Sequence, residues 1–123
     1  MVLARRGEDL AHRFVERELG WRVVSRNYRH PMRKLEIDMV AVDGNTLVVA
    51  EVKTRASEDI SHPLRAVDSG KAWHIGQAAR AWIKRAEMLA MPVRFDVVTV
   101  LIGDTERVEY HRDVYAIAAR LPV

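Results

Sequence analysis

Two runs of mainly apolar residues, 35–42 and 46–54, flank Asp43-Gly44-Asn45, and turn residues between such runs are the strongest short-range signal of a β-hairpin. Side chains alternate faces along a strand, so Glu36 and Asp38 share one face of the first strand, and Glu51 and Lys53 share one face of the second. A two-residue turn at Gly44-Asn45 pairs Asp43 with Thr46, sets Asp38 opposite Glu51 and sets Glu36 opposite Lys53. A turn at Asp43-Gly44 instead sets Asp38 opposite Val49 and diagonal to Glu51. Either turn keeps the four charged groups on one face, whereas a three-residue loop splits them. Opposed Cβ atoms lie about 5 Å apart, so Asp38 and Glu51 repel each other or share a cation. A like-charge pair amid apolar neighbours is expected where function overrides stability.

The rest of the pattern surrounds this hairpin. Leu10, Ala11, Phe14, Val15 and Leu19 recur at helical spacing over residues 4–19, with Gly20 placed as the stop. Glu8 falls on the face of Ala11, Val15 and Leu19, which should meet the sheet; helix reasoning alone favours a half-exposed first-turn glutamate stabilised by the dipole. Residues 21–27 read as a strand, with Trp21 and Val23 on one face and Arg22 and Arg26 on the other. His30-Pro31-Met32-Arg33-Lys34 breaks the pattern and forms a basic loop into the hairpin. Residues 56–63 are polar, end in proline and predict a mobile surface loop beside the hairpin end.

A second helix is predicted from Asp68 or Ser69, either of which can cap it, to about Met88, with Ile75, Ala78, Ala79, Trp82 and Ala86 as its buried stripe. Residues 93–102 are almost continuously apolar, which predicts a central strand covered on both faces. Gly103-Asp104 turns the chain, 107–111 reads as a short edge strand, and Asp113 is placed to cap a last helical segment through Ala119. The predicted class is α/β, one domain over 1–123, with a sheet flanked by helices on both faces and a crossover helix leading to a more parallel strand.

Composition narrows the chemistry. With 123 residues, 49% hydrophobic and 30% charged, the chain suits a single core. The absence of cysteine excludes disulfides and thiolate metal sites and fits a reducing compartment, with the cytoplasm as the expected location. No segment has the length and apolarity of a signal peptide or membrane span, so no membrane partner is expected. The net charge of +3 is small, and on charge alone an ordinary solvated surface is the better reading, but residues 1–34 hold nine basic against four acidic side chains. That +5 flank leaves −2 for the remainder, a distribution that lets phosphates approach carboxylates.

Asp38 followed thirteen residues later by Glu51-Val52-Lys53 resembles the Asp, then Glu-x-Lys, signature of the PD-(D/E)xK nucleases, the restriction-endonuclease-like superfamily. Taken with RRGEDLA, EIDMVAVDG, VVAEVKTR, Lys71 in a helix and Arg94-Phe95-Asp96 in a strand, the chain resembles the YraN-like family of small bacterial proteins in that superfamily, over roughly residues 5–117. Its constellation of a helical Glu, an Asp and Glu-x-Lys is similar to that of archaeal Holliday junction resolvases. Leu35 stands where the family usually has Gly.

The resemblance implies an αβββαβ core and a Mg²⁺- or Mn²⁺-dependent endonuclease acting on DNA, branched or otherwise structured, with a homodimer as a possible assembly. It assigns Asp38 and Glu51 as first metal ligands, the Val52 carbonyl as a further one, Lys53 as the catalytic cation and Glu8 as a metal or water ligand. Glu36 is left to a second metal or to pairing with Lys53. Arg5, Arg6, Arg33, Lys34, Arg55 and Lys71 become candidates for nucleic-acid contacts, which position the strand without reading its sequence. A nucleic-acid-binding module that keeps the fold without turnover is the alternative.

Other residues carry blander expectations. His12, His30, His62, His74 and His111 show no metal-binding spacing and read as surface or satisfied histidines. Trp73 and Trp82 are expected in core or interface, and Asp96 as a buried structural carboxylate bonded to backbone or to an arginine. No phosphate-cradling glycine loop or nucleophilic serine motif is present.

Overall fold

The computed structural model describes residues 2–56, 69–87 and 91–115. The elements are helix α1 (Val2–Arg17), strands β1 (Arg22–Arg29), β2 (Glu36–Asp43) and β3 (Thr46–Ala56), helix α2 (Ser69–Ala86), and strands β4 (Val93–Ile102) and β5 (Arg107–Tyr115). The five strands form one sheet in the order β1-β2-β3-β4-β5. All neighbours are antiparallel except β3 and β4, which run parallel from Leu47↔Val93 to Ala56↔Ile102. A parallel step needs a crossover, and α2 lies between those two strands in sequence. This is the expected αβββαβ core, followed by one further strand.

The hairpin takes the first of the two registers. Asp43 pairs with Thr46 and the ladder runs on to Met39↔Ala50. Gly44 supplies the left-handed φ of +59° that the first turn position demands, and Asn45 is not among the residues with positive φ, the pattern of a type II′ turn.

The two faces of the sheet carry separate cores. On one, α1 buries Ala11 and Val15 against Met39, Ala41, Val48, Ala50, Val98 and Val100, with Trp21 closing the end. On the other, α2 buries Ile75, Ala78, Ala79, Trp82 and Ile83 against Ile37, Val40, Leu47, Val49, Phe95 and Val97. β4 is covered on both sides, as its unbroken apolar run requires.

Several expectations are corrected. Helix α1 starts at Val2, so Glu8 lies beyond the first turn. Arg26 shares the α1 side with Trp21 and Val23, because a bulge between Val23 and Ser25 shifts the alternation of β1. Ala86 is exposed and Ile83 takes the buried place, one helical turn after Ala79. Strand β5 extends to Tyr115 and contains Asp113, which therefore caps no helix there; its φ of +54° accompanies a register shift opposite Phe95 and Val97. The predicted loop at 57–63, the cap at Asp68, the helix end at Met88 and the segment 116–119 lie outside the described residues.

Candidate functional site

The site forms where β2 and β3 stop pairing. Beyond Met39↔Ala50 the ladder ends, and Asp38 Oδ2 accepts the Val52 N–H at 2.8 Å in place of a strand carbonyl. Glu51 and Lys53, two residues apart on β3, extend on one face, with Lys53 Nζ 3.2 Å from Glu51 Oε1. Both side chains are largely buried, 13% and 10% exposed, so the pair is held in a low-dielectric setting where its charges matter. Glu36, Asp38 and Glu51 line a cavity of about 210 Å³ whose remaining wall is Ile37, Val49, Ala50, Ile75 and Phe95. Apolar walls strengthen the electrostatics of the acidic groups by excluding water.

Asp38 registers that environment. Burial raises its pKa to about 6, the Val52 N–H works against the shift, and Glu51, Glu8 and Glu36 each push it further up. All three neighbouring carboxylates named by sequence therefore act on Asp38. Glu8 comes from the opposite layer, on α1, and its approach depends on Gly7. A Cβ at Gly7 would collide with Thr54 Oγ1 and stand 3.0 Å from Thr54 Cβ. Only glycine allows the helix backbone to lie this close to β3.

Asn27 is the residue that sequence reasoning missed. It holds a left-handed φ of +54° near the end of β1, and its amide nitrogen, in the orientation its neighbours require, donates to both Glu8 oxygens at 3.2 and 3.3 Å. Asn is among the few side chains that adopt this conformation readily, so an Asn ending a strand beside the acidic hairpin was the available signal.

The basic candidates are divided. Arg33 and Lys34 line a second cavity with Arg29, His30 and Leu35, and Glu36 belongs to the walls of both cavities. Arg6 is paired with Glu106 in the turn between β4 and β5, and Arg5 acts electrostatically on Asp9. Arg55 follows on β3, partly buried; Lys71 lies in α2, its side chain outside the described residues. Arg94 and Asp96 belong to a separate network on the α1 side. Asp96, fully buried, accepts Arg94 Nε at 3.0 and 3.1 Å, the Tyr110 hydroxyl at 2.5 Å and the Asp113 N–H at 2.7 Å. This is the structural carboxylate expected from sequence, bonded to arginine and backbone alike. Burial and the bond to Asp96 raise the Tyr110 pKa; burial opposes the charge of Arg94, but Asp96 and Asp43 more than offset it.

Among the histidines, His12 pairs with Glu16 and Arg26, and His30 organises its loop, whereas His111 Nε2 is buried with no hydrogen-bond partner among the described residues. Trp82 is core, whereas Trp73, 47% exposed, lies outside the core.

The donor set of Asp38, Glu51, Glu8 and Glu36 is all hard oxygen, and its mutual repulsion suits a small divalent cation. Among the described residues no group of three or more acidic, histidine or cysteine side chains converges closely enough to chelate an ion in this conformation. No described helix is long and apolar enough to cross a membrane.

Fold and site together define a small α/β protein with a five-stranded mixed sheet between two helices and a carboxylate and lysine cluster at the opening of its hairpin. The chain belongs to uncharacterised protein family UPF0102, whose model matches residues 7–100. It is 43% identical over 111 residues to a UPF0102 protein of Solibacter usitatus, covering 90% of this chain and 83% of that one. A UPF0102 protein of Paenarthrobacter aurescens is 47% identical over 100 residues, covering 81% and 80%. One from Geobacter sulfurreducens is 43% identical over 119 residues, covering 95% and 91%.

Proposed function

We propose that this protein is a metal-dependent phosphodiester hydrolase acting on DNA, with branched or otherwise structured DNA as its substrate class. The observation that carries this reading is the crowding of Glu51, Glu8 and Glu36 around the half-buried Asp38, with Lys53 fixed beside Glu51. A cluster of this kind repels nucleic acid unless a cation joins it, and a protein that only bound phosphates would gain nothing from it.

Asp38 and Glu51 would hold Mg²⁺ or Mn²⁺ with the Val52 carbonyl, and Glu8 or Glu36 would complete the set or position water. The ion supplies Lewis-acid polarisation of the phosphate and a lowered pKa of bound water. The chain's own residues do the rest. The Val52 N–H fixes the Asp38 carboxylate, Asn27 fixes Glu8, and the Lys53 ammonium stands where negative charge grows on the phosphate oxygens. Arg33 and Lys34 lead a strand toward the acidic cavity across Glu36.

The test is cleavage of a labelled panel of single strand, duplex, flap, four-way junction and RNA hairpin, with Mg²⁺, Mn²⁺ or chelator. Cleavage is expected to require metal and to fall by on the order of 10²-fold or more in Glu51→Ala and Lys53→Ala. Equal binding by all three proteins with no cutting of any substrate would transfer the assignment to a non-catalytic nucleic-acid-binding module.

A further inference from the structure

The described residues leave three large hydrophobic side chains exposed: Val24 at 37%, Met32 at 86% and Trp73 at 47%. Met32 belongs to the basic loop and Trp73 stands beside it. That loop is built rather than loose. His30 Nδ1 accepts the N–H groups of both Met32 and Arg33, at 3.0 and 3.1 Å, and the His30 N–H donates to the Leu35 carbonyl at 2.8 Å. The tight turn thrusts Met32 outward and sets the Arg33 guanidinium 5.9 Å from the centre of the Trp73 ring. His74 meets the same indole edge-on at 5.3 Å.

An indole costs free energy when left in water, and here it is braced by a guanidinium and not covered by core. Its surroundings say what it suits. Arg29, Arg33 and Lys34 line the adjoining cavity of about 410 Å³, which shares Glu36 with the acidic one. Helix α2, which carries Trp73, also supplies Ile75 to the acidic wall. Cations that follow a phosphate backbone beside an aromatic face on which a base can stack are the two parts of a single-strand binding surface. Bases within a duplex are already stacked and offer only their edges.

We infer that Trp73, braced by Arg33, is a stacking platform for an unpaired nucleobase, and that it admits a single-stranded stretch of nucleic acid to the acidic cavity. This rests on the phosphodiesterase reading and narrows its substrate class to strands with unpaired bases next to the point of cleavage. A second copy of the chain is the poorer occupant. A two-fold contact would bring this patch against itself and oppose Arg29, Arg33 and Lys34 to their own copies.

The experiment measures binding by fluorescence polarisation with Ca²⁺ in place of Mg²⁺ or Mn²⁺, using a labelled 12-nucleotide oligothymidylate, an abasic strand of equal phosphate number and a 12-base-pair duplex. Wild type is compared with Trp73→Ala, Trp73→Phe and Arg33→Ala. Trp73→Ala should weaken oligothymidylate binding about tenfold while leaving the abasic strand within about twofold, and Trp73→Phe should keep most of the affinity. Arg33→Ala should weaken both strands, since it removes a backbone charge as well as the brace. Equal affinity of wild type and Trp73→Ala for oligothymidylate overturns the platform, as does an equal loss on both strands. If the platform fails while metal-dependent cleavage persists, the proposed function stands alone. If wild type neither binds nor cuts any strand, both fall. Loss of a dimer in Trp73→Ala by sedimentation, with strand affinity unchanged, assigns the patch to a contact between copies and overturns the inference.

Discussion

Two aspartates of one sheet, on β2 and β4 with β3 between them, are treated in opposite ways. Asp96 receives an arginine, a tyrosine hydroxyl and a backbone N–H, and Arg94 is in turn shared with Asp43 and laid over Trp21 at 5.7 Å. Asp38 receives one N–H, and burial first, then the charge of three further carboxylates, raises its pKa to about 6. The first carboxylate is neutralised by the fold and belongs to it. The second is made worse off by its neighbours, which is the condition of a group kept for a ligand.

The contrast can be broken from the structural end. Asp96→Ala leaves Arg94 buried with half its partners and should destabilise the protein by about 3–5 kcal/mol, read from chemical denaturation. Asp38→Asn should do the reverse. Because the folded pKa of Asp38 lies above the ordinary 3.8, the folded state binds that proton more tightly than the unfolded chain does. The group costs nothing below about pH 4, its cost grows as pH rises to about 6, and it stays in full above that. In metal-free buffer at pH 8, Asp38→Asn is therefore expected to be more stable than wild type by up to about 3 kcal/mol, a gap that closes by pH 4. A wild type as stable as the variant at pH 8 would show that Asp38 is not strained, and the comparison would collapse.

A smaller effect sharpens it. Gly7→Ala drives a methyl into Thr54 and should cost about 1–3 kcal/mol, with partial recovery in Gly7→Ala/Thr54→Ala. Because Glu8 sits next in the chain, Mn²⁺ should also raise the melting temperature of Gly7→Ala less than that of wild type. An unchanged Mn²⁺ response would remove Glu8 from the cluster.

What sequence made legible was everything periodic. The hairpin followed from its two apolar runs, with its register left open between two turns, β4 from its apolar run, and the grouping of Asp38, Glu51 and Lys53 from the two-residue alternation of strands that either turn preserves. What it hid were the breaks in periodicity. The bulge in β1, which moves Arg26 to the α1 side, and the left-handed Asn27 and Asp113 are single-residue departures, and an alternating count carries straight through them. Ile83 and Ala86 both lie at helical spacing from Trp82 or Ala79, and only the edge of the sheet decides which is covered. The exposure of Trp73 was hidden for the same reason, since composition gives an indole's preference for burial but not the extent of the surface available to bury it.

The contact of Gly7 with Thr54 also bears on how this chain can vary. The two positions share one fixed volume, so a side chain added at the first has to be matched by volume lost at the second. Across homologous chains these positions should drift as a pair, and a lineage with a larger residue at both would be expected to have moved its first helix and abandoned the acidic residue that follows.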